Sequence, residues 1–527
     1  MRKASGLRRD VGTLSVLSLN ALGTTYGIGI IFLMSLSYLF PGGDPAIATA
    51  ICTILVIPQA LVYGLLGIAM PRSGGDYVFV SRTVHPALGF AENWSISIWY
   101  MFYGAIFTEW CLTFGFSPAL AAIGSVTNNS AMISMSALAL QPNYILGVGT
   151  IILILAAAIT IFGNKYTFPF LNLCMILGVV AFLIVFALLV TTTPQGFITA
   201  FNQYSKPFAN DPDYYHSIIS QAQSLGYTST PFSWSATIGI IPIAGWALVY
   251  LSTQTYVAGE IKNINKNSLI GPLVGGALIS GLVMTVGAYL MENVAGLNFL
   301  NSLYVVFSSG KYALPAPPYW NLLGSMLTNS LPLLVLIGIG FIAWNPMVAV
   351  ADFVLDSRNM LAWGFDRIIP EKFTYVSPRT RTPVVALVTY LIGSIIILVM
   401  LDYWGSILAA LSATLAQLAF TYIPTGIAAV VLPLRQKTKR LYETSPIKYE
   451  IAGIPLITII GILQLLTMGW FTYMFATNPA YGANGTMSVL GIVGVFLAGF
   501  VIYYASLFYH KQRGIDISLA FSELPPA

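Results

Sequence analysis

Gly23-Thr24-Thr25-Tyr26-Gly27-Ile28-Gly29 interrupts a hydrophobic segment long enough to span a bilayer. Pro242-Ile243-Ala244-Gly245-Trp246 interrupts another, followed by an apolar stretch to Tyr250. Glycine weakens a helix, and proline removes one of its hydrogen bonds. In lipid, a freed backbone N–H or C=O is costly unless protein or trapped water satisfies it. Close helix packing is the plainer explanation for one such break. Two breaks in matching halves of a chain point instead to a buried polar site at mid-membrane, suited to a small zwitterion.

Composition sets the class. Of 527 residues, 57% are hydrophobic and 8% charged, against about 25% charged in soluble domains. This is the composition of an integral, polytopic membrane protein, expected in the cell membrane and in contact with lipid. Met1 to Asp10 is short and basic and leads directly into a span, so it reads as a mature cytoplasmic end. Cys52, Cys111 and Cys174 all fall in apolar segments, which argues against a disulfide framework. No Cys/His spacing resembles a metal site, and no cofactor is expected. The net charge of +5 follows membrane topology and suggests no nucleic acid. His85, His216 and His510 lie in loops or at a membrane edge, so no catalytic cluster for an intramembrane enzyme is expected.

Twelve transmembrane helices are expected, near 12–40, 46–70, 92–123, 143–162, 168–193, 236–258, 268–294, 328–356, 384–402, 404–432, 454–476 and 486–509. With both termini cytoplasmic, all of the 23 lysines and arginines except Lys206 and Lys311 lie on the inner side. This matches the positive-inside rule. The outer segments 194–235 and 295–327 allow either a short lid helix or a solvated loop.

Grouping the first ten helices as five plus five makes the broken segments the first and sixth helices. An odd number of helices per repeat forces opposite orientations, so the repeats are inverted. The expected division is 1–11 as cytoplasmic N-terminus, 12–193 as first repeat and 194–235 as outer loop. Then follow 236–432 as second repeat, 433–453 as basic inner loop, 454–509 as two appended helices and 510–527 as cytoplasmic C-terminus.

Three motifs carry a family resemblance. Pro71-Arg72-Ser73-Gly74-Gly75-Asp76-Tyr77 through Arg82, then His85-Pro86-Ala87-Leu88-Gly89-Phe90, resembles the inner loop after helix two of the amino acid–polyamine–organocation (APC) transporter superfamily. Gly259-Glu260-Ile261-Lys262-Asn263 is similar to the ending of that family's helix six. Ser357 to Met360, Trp363 to Pro370 and Arg381-Thr382-Pro383-Val384 resemble its loop after helix eight. The resemblance spans about residues 10–510 and implies an all-α membrane protein with the inverted 5+5, LeuT-type repeat plus two C-terminal helices.

The resemblance also implies a site. Gly27-Ile28-Gly29 matches the family's break, placing the N–H groups of Ile28, Gly29 and Ile30 toward a substrate carboxylate. Physically this is a helix N-terminus holding an anion. The carbonyls of Thr25 and Tyr26 would accept from an ammonium. In helix six, Trp246 matches a position supplying a carbonyl and an aromatic wall, and Val249 one supplying another free carbonyl. Tyr250 stands where a small residue is usual, which shifts the break toward Gly245 or narrows the pocket. Trp99, Tyr100, Tyr103 and Gly104 form a face of helix three that either lines the site or packs. Asn345 is a further polar candidate, or caps a kink at Pro346.

Asp352 is the sharpest intramembrane acid. It faces a cavity or partner by default, and it either carries a coupling proton, binds an amino group, or pairs with an inner arginine. Glu109 is the second proton candidate. Asp356 is expected to pair with Arg358. Asp76 and Arg72 are inner-gate candidates, Asp76 latching the gate by pairing with a basic residue and Arg72 anchoring the loop at the inner surface, or both being solvated charges of a structural loop. Sodium-coupled relatives use hydroxyls on helix eight, but 333–356 holds no Ser or Thr. Proton-coupled relatives with a lysine in helix five have no counterpart near Gly178. The expected function is alternating-access transport of a small, neutral amino acid, with a proton as favoured partner. Alternatives are an amine or polyamine carrier, an amino acid exchanger, and, from another class, a passive channel or membrane sensor.

Overall fold

The computed structural model describes residues 5–525 apart from Thr24 and Gly405, with backbone only at 21–23, 402–404 and 406–409. The chain opens with α1 (Thr13–Gly23) and α2 (Tyr26–Leu36), then α3 (Pro45–Ala69), a short α4 (Gly75–Thr83) and α5 (Pro86–Trp110). A π turn at Cys111–Phe116 carries α5 into α6 (Ser117–Val126), followed by α7 (Ser130–Leu138), α8 (Pro142–Ile161) and α9 (Asn164–Thr191). Next come α10 (Pro194–Ala209), α11 (Tyr214–Ser224), α12 (Trp234–Leu248) and a 3₁₀ helix, Thr253–Glu260. After α13 (Gly271–Ala295), α14 (Leu297–Ser308) and α15 (Trp320–Ser325) comes α16 (Leu331–Phe365). The remainder is α17 (Val384–Trp404), α18 (Ser406–Gln417), a π turn, α19 (Ile423–Val431), α20 (Gln436–Thr444), a β1–β2 hairpin (Glu450–Ile451, Ile454–Pro455), α21 (Leu456–Thr477) and α22 (Thr486–Gln512). Pro45, Pro86, Pro142 and Pro194 open their helices, where the missing N–H breaks no bond.

Among the described residues, eleven helical segments are long and apolar enough to cross a bilayer. The expected first span is divided between α1 and α2. Each has 11 residues and is about 16 Å long, too short to cross alone. The division falls at Thr25, whose φ of 33° and ψ of 39° are left-handed. That conformation is unusual for a β-branched residue and ends a helix cleanly. Thr24 lies outside the described residues.

The second break differs from expectation. Pro242 and Gly245 sit inside α12 without ending it. Phe471 packs 3.3 Å from where a Cβ on Gly245 would lie, so this glycine serves close packing. The helix ends three residues later, at Leu248, and 249–252 are non-helical before the 3₁₀ turn resumes.

Burial orders the bundle from centre to rim. The span built on α12 and its 3₁₀ extension is 89% buried, whereas α22 is only 17% buried. Hence α12 is central and α22 peripheral, with Leu497, Val501, Tyr504 and Phe508 exposed. Around the centre, α3 packs on α12 and α13, while α16 packs on α5, α9 and α17. α16 also runs past the expected end at 356, because Ser357, Arg358 and Asn359 are buried, with Arg358 bonded to Glu260 and Asn359 to Ser97. The segments between α9 and α12 and between α13 and α16 are packed helices. Tyr215 stacks on Phe299 at 4.0 Å, and its hydroxyl donates to the Ala295 carbonyl at 2.8 Å.

Candidate functional site

Where α1 gives way to α2, the Thr25 carbonyl accepts from the N–H of Ile28 at 2.9 Å and Gly29 at 2.7 Å. These two donors are therefore occupied, and the Thr25 carbonyl is not free. The helix pattern leaves the earlier N–H groups, those of Tyr26 and Gly27, without intrahelical acceptors. Ile28 and Ile30 are buried in the core. The Tyr26 ring packs on Trp344 at 4.5 Å and Phe182 at 5.4 Å. Gly27 lies 3.0 Å from the Trp344 ring and Gly29 2.5 Å from the Ala247 methyl, measured from an added Cβ. Glycine at these positions lets α2 approach α16 and α12.

A small cavity of about 30 Å³ lies between the two breaks. It has room for roughly one or two waters, so its walls are closed in this conformation. Thr25, Tyr103, Trp246, Tyr250 and Asp352 line it, as the sequence suggested, and so does Tyr100. Phe107, Thr253, Val348, Ala351 and Leu355 also line it and were missed. Helical spacing could have found most of these. Phe107 is one turn beyond Tyr103, and Val348, Ala351 and Leu355 share the face of Asp352.

A belt of hydroxyls closes one side. Tyr103 and Tyr250 hydroxyls meet at 2.5 Å, and each lies within 3.3 Å of Thr414 Oγ1. Tyr103 also donates to the Ala410 carbonyl at 3.2 Å. Aromatic rings close another side. Trp246 stacks on Phe32 at 4.2 Å, and Trp110 packs edge-on to Trp246 at 5.8 Å. Asp352 supplies a carboxylate to the cavity. It is buried, its Oδ2 has no hydrogen-bond partner, and no ion pair holds it among the described residues.

Other expected residues lie elsewhere. The Val249 carbonyl is not free, because Gln59 Nε2 donates to it at 2.6 Å. Gly104 faces Tyr390, whose hydroxyl donates to the Tyr100 carbonyl at 2.6 Å. Asn345 donates back to the Phe341 carbonyl at 3.0 Å, within its own helix. Cys111 Sγ reaches the Ile342 carbonyl, the one left without a donor by Pro346. Glu109 is half-buried beyond the aromatic stack and interacts with Tyr319.

Both ends of the described chain lie on one face of the bundle, and a polar network seals it. Asp76 does not pair with a basic residue. It accepts from Asn93 Nδ2 (2.9 Å), Tyr256 OH (2.8 Å), the Tyr77 N–H (3.1 Å) and Tyr63 OH (3.4 Å). Burial nevertheless pushes its carboxyl up to about 6, against the pull of those four donors. Arg72 donates to the Pro525 carbonyl at 2.7 Å. The ion pairs join other residues. Arg82 binds Asp366 at 2.7 and 2.8 Å, and Tyr77 OH donates to the same carboxylate at 2.6 Å. Arg358 grips Glu260 with two bonds of 2.9 and 3.0 Å, so it does not pair with Asp356. Near it, Val11 and Lys262 N–H groups bond to Glu260 and Val11 carbonyls, each at 3.0 Å.

The profile of the amino acid permease family matches residues 11–498. The chain belongs to that family. This permease is 22% identical over 519 residues to the serine/threonine exchanger SteT of Bacillus subtilis (strain 168), covering 95% of this chain and 97% of the other. It is 21% identical over 380 residues to uncharacterized protein 399 of Sulfolobus islandicus rod-shaped virus 1, covering 72% and 70%. Family and exchanger together make this permease an APC-superfamily amino acid transporter, and they point away from an enzyme.

Proposed function

We propose that this permease moves a small, neutral amino acid across the cell membrane by alternating access, with a proton as coupling ion. The observation that carries this reading is the cavity between two helix breaks, with one unpaired carboxylate among apolar and aromatic walls. The substrate carboxylate is assigned to the N–H groups of Tyr26 and Gly27, beginning two residues earlier than the sequence suggested. The ammonium is assigned to Asp352 and to carbonyls at the end of α12, excluding that of Val249, which Gln59 holds. Val348, Ala351, Leu355 and Phe107 offer a side chain no charge partner, which favours a neutral one. The two repeats, 12–193 and 236–432, are read as inverted, and the sealed face as cytoplasmic because the lysines and arginines gather there.

Uptake into proteoliposomes tests this, using a panel of amino acids with and without a pH gradient. Saturable uptake of small neutral amino acids, enhanced by an inward proton gradient, is expected. Uptake of none of them would overturn the substrate assignment. A second reading, obligatory exchange, is supported by the similarity to a serine/threonine exchanger. It predicts uptake only into liposomes preloaded with amino acid.

A further inference from the structure

From the cavity toward the sealed face, α16 and α5 meet along a polar seam. Asp352, Asp356, Asn359 and Trp363 recur at helical spacing on α16. Asn359 Nδ2 donates to Ser97 Oγ on α5 at 3.0 Å. Trp363 Nε1 donates to Asn93 Oδ1 at 2.8 Å, and Asn93 Nδ2 donates to Asp76 at 2.9 Å. The seam therefore joins the cavity wall to the Asp76 hub, and every one of these residues is buried.

The seam is polar beyond what packing needs. Asp352 Oδ2 and Asn359 Oδ1 have no hydrogen-bond partner, and the Asp356 carboxylate has only Ser97 and Asn359 near it, neither in good hydrogen-bond geometry. Native interiors rarely leave so many neighbouring polar atoms unmatched. Among the described residues neither acid has a counter-ion, since Arg358 is held by Glu260 and Arg82 by Asp366. The other titratable groups around the seam include Tyr100 and Tyr103 on α5, Tyr390 on α17, Tyr256 on the 3₁₀ turn, Tyr63 on α3, Tyr77 on α4 and Tyr422, with Glu92 near Asp76. Charge without a counter-ion is expensive at this depth. A group that gains and gives up a proton there does so as part of a function.

We infer that this seam is the proton route, with Asp356 as relay between Asp352 and Asp76; the inference rests on the proton-coupled reading. The Asp352 carboxylic acid gives its proton to the Asp356 carboxylate. Asp352 becomes the anion, Asp356 becomes the acid, and no other bond changes. One turn of helix separates their Cβ atoms by roughly 5–6 Å, a gap closed by side-chain rotation or one water. The proton then passes from the Asp356 acid to the Asp76 carboxylate through water oriented by Ser97, Asn359 and Asn93, whose side chains keep the path polar and carry no proton themselves. Asp356 returns to the anion, and Asp76 becomes the acid and releases the proton to solvent at the sealed face.

The test uses the full chain in liposomes enclosing a pH-sensitive dye, with the neutral amino acid panel as probe. Counterflow without a pH gradient reads the carrier alone, and internal acidification on adding amino acid reads the proton. Asp356→Asn is expected to slow acidification at least tenfold while counterflow stays within twofold of wild type, and Asp356→Glu to restore part of the proton flux. Wild-type acidification in Asp356→Asn would overturn the relay. Asn359→Leu cuts the seam one turn further on and must also slow acidification. If Asp356→Asn does not fold, wild-type acidification in Asn359→Leu overturns the route by itself. Wild-type counterflow without acidification removes both the coupling and the seam, whereas absence of counterflow removes the transport reading together with everything built on it.

Discussion

Burial and hydrogen bonding act on Asp76 in opposite directions. Four donors favour its anion, yet burial dominates and raises its pKa from 3.8 to about 6. Between those values the folded protein holds a proton that the unfolded chain has lost. Stability from this group is therefore greatest at acid pH and falls as pH rises through the window, by about 3 kcal/mol in all. Asp76→Asn removes the titration. The melting-temperature advantage of wild type over this variant is expected to shrink from about pH 4.5 to about pH 7.5. An advantage that widens with pH would contradict the burial account. Tyr250 governs a different property. Its ring narrows the cavity, and its hydroxyl is tied to Tyr103 and Thr414. Tyr250→Ala is expected to shift competition for uptake toward larger side chains such as leucine and phenylalanine. An unchanged order of competitors would remove Tyr250 from the selectivity determinants.

At the scale of elements, the first break depends on a strained residue. Thr25 holds a left-handed backbone that costs about 1–3 kcal/mol in a residue other than glycine. Thr25→Gly is expected to raise the melting temperature in detergent, and a fall would mean that the threonine side chain matters more than the strain. Gly29→Leu is expected to prevent α2 from packing, because its Cβ would already lie 2.5 Å from that of Ala247. Normal folding and uptake in that variant would be incompatible with the observed crossing. The first break was legible in sequence, since its glycine cluster acts locally; the second was placed in the right segment, but on a proline and a glycine that do not break the helix. The end of α12 was not legible. Pro242 is tolerated, Gly245 packs on Phe471, and Gln59 from α3 takes the Val249 carbonyl. The overrun of α16 was hidden likewise, because Ser357 to Asn359 read as a loop until distant partners bury them. In the cavity, the face of α5 could be read from spacing. The gate pairs could not, because Arg82 and Asp366 are 284 residues apart and Arg358 and Glu260 are 98 apart.

Across the whole molecule, aromatic rings flank the small cavity on one side, and buried ion pairs hold the sealed face. The proposed alternating access requires each closure to open in turn, and the ion pairs would then set an energy difference between global states. Removing one partner of a buried pair costs about 3–5 kcal/mol, since the other charge is left uncompensated. Arg82→Gln strands Asp366 in the closed form, whereas opening returns that carboxylate to water. A shift of even about 3 kcal/mol changes the ratio of closed to open forms more than a hundredfold. Labelling of a cysteine introduced at buried Ser252, by a thiol reagent supplied from the sealed face, is expected to accelerate in Arg82→Gln. Replacing both partners, as in Arg82→Met with Asp366→Leu, is expected to return labelling toward the wild-type rate, because a well-packed apolar pair substitutes for a buried ion pair at little net cost. Labelling unchanged in the single variant would mean that Arg82 and Asp366 only brace the loop after α3. Acceleration that persists in the double variant would place the latch in the specific hydrogen bonds of Tyr77 and Arg82, and not in the balance of charge.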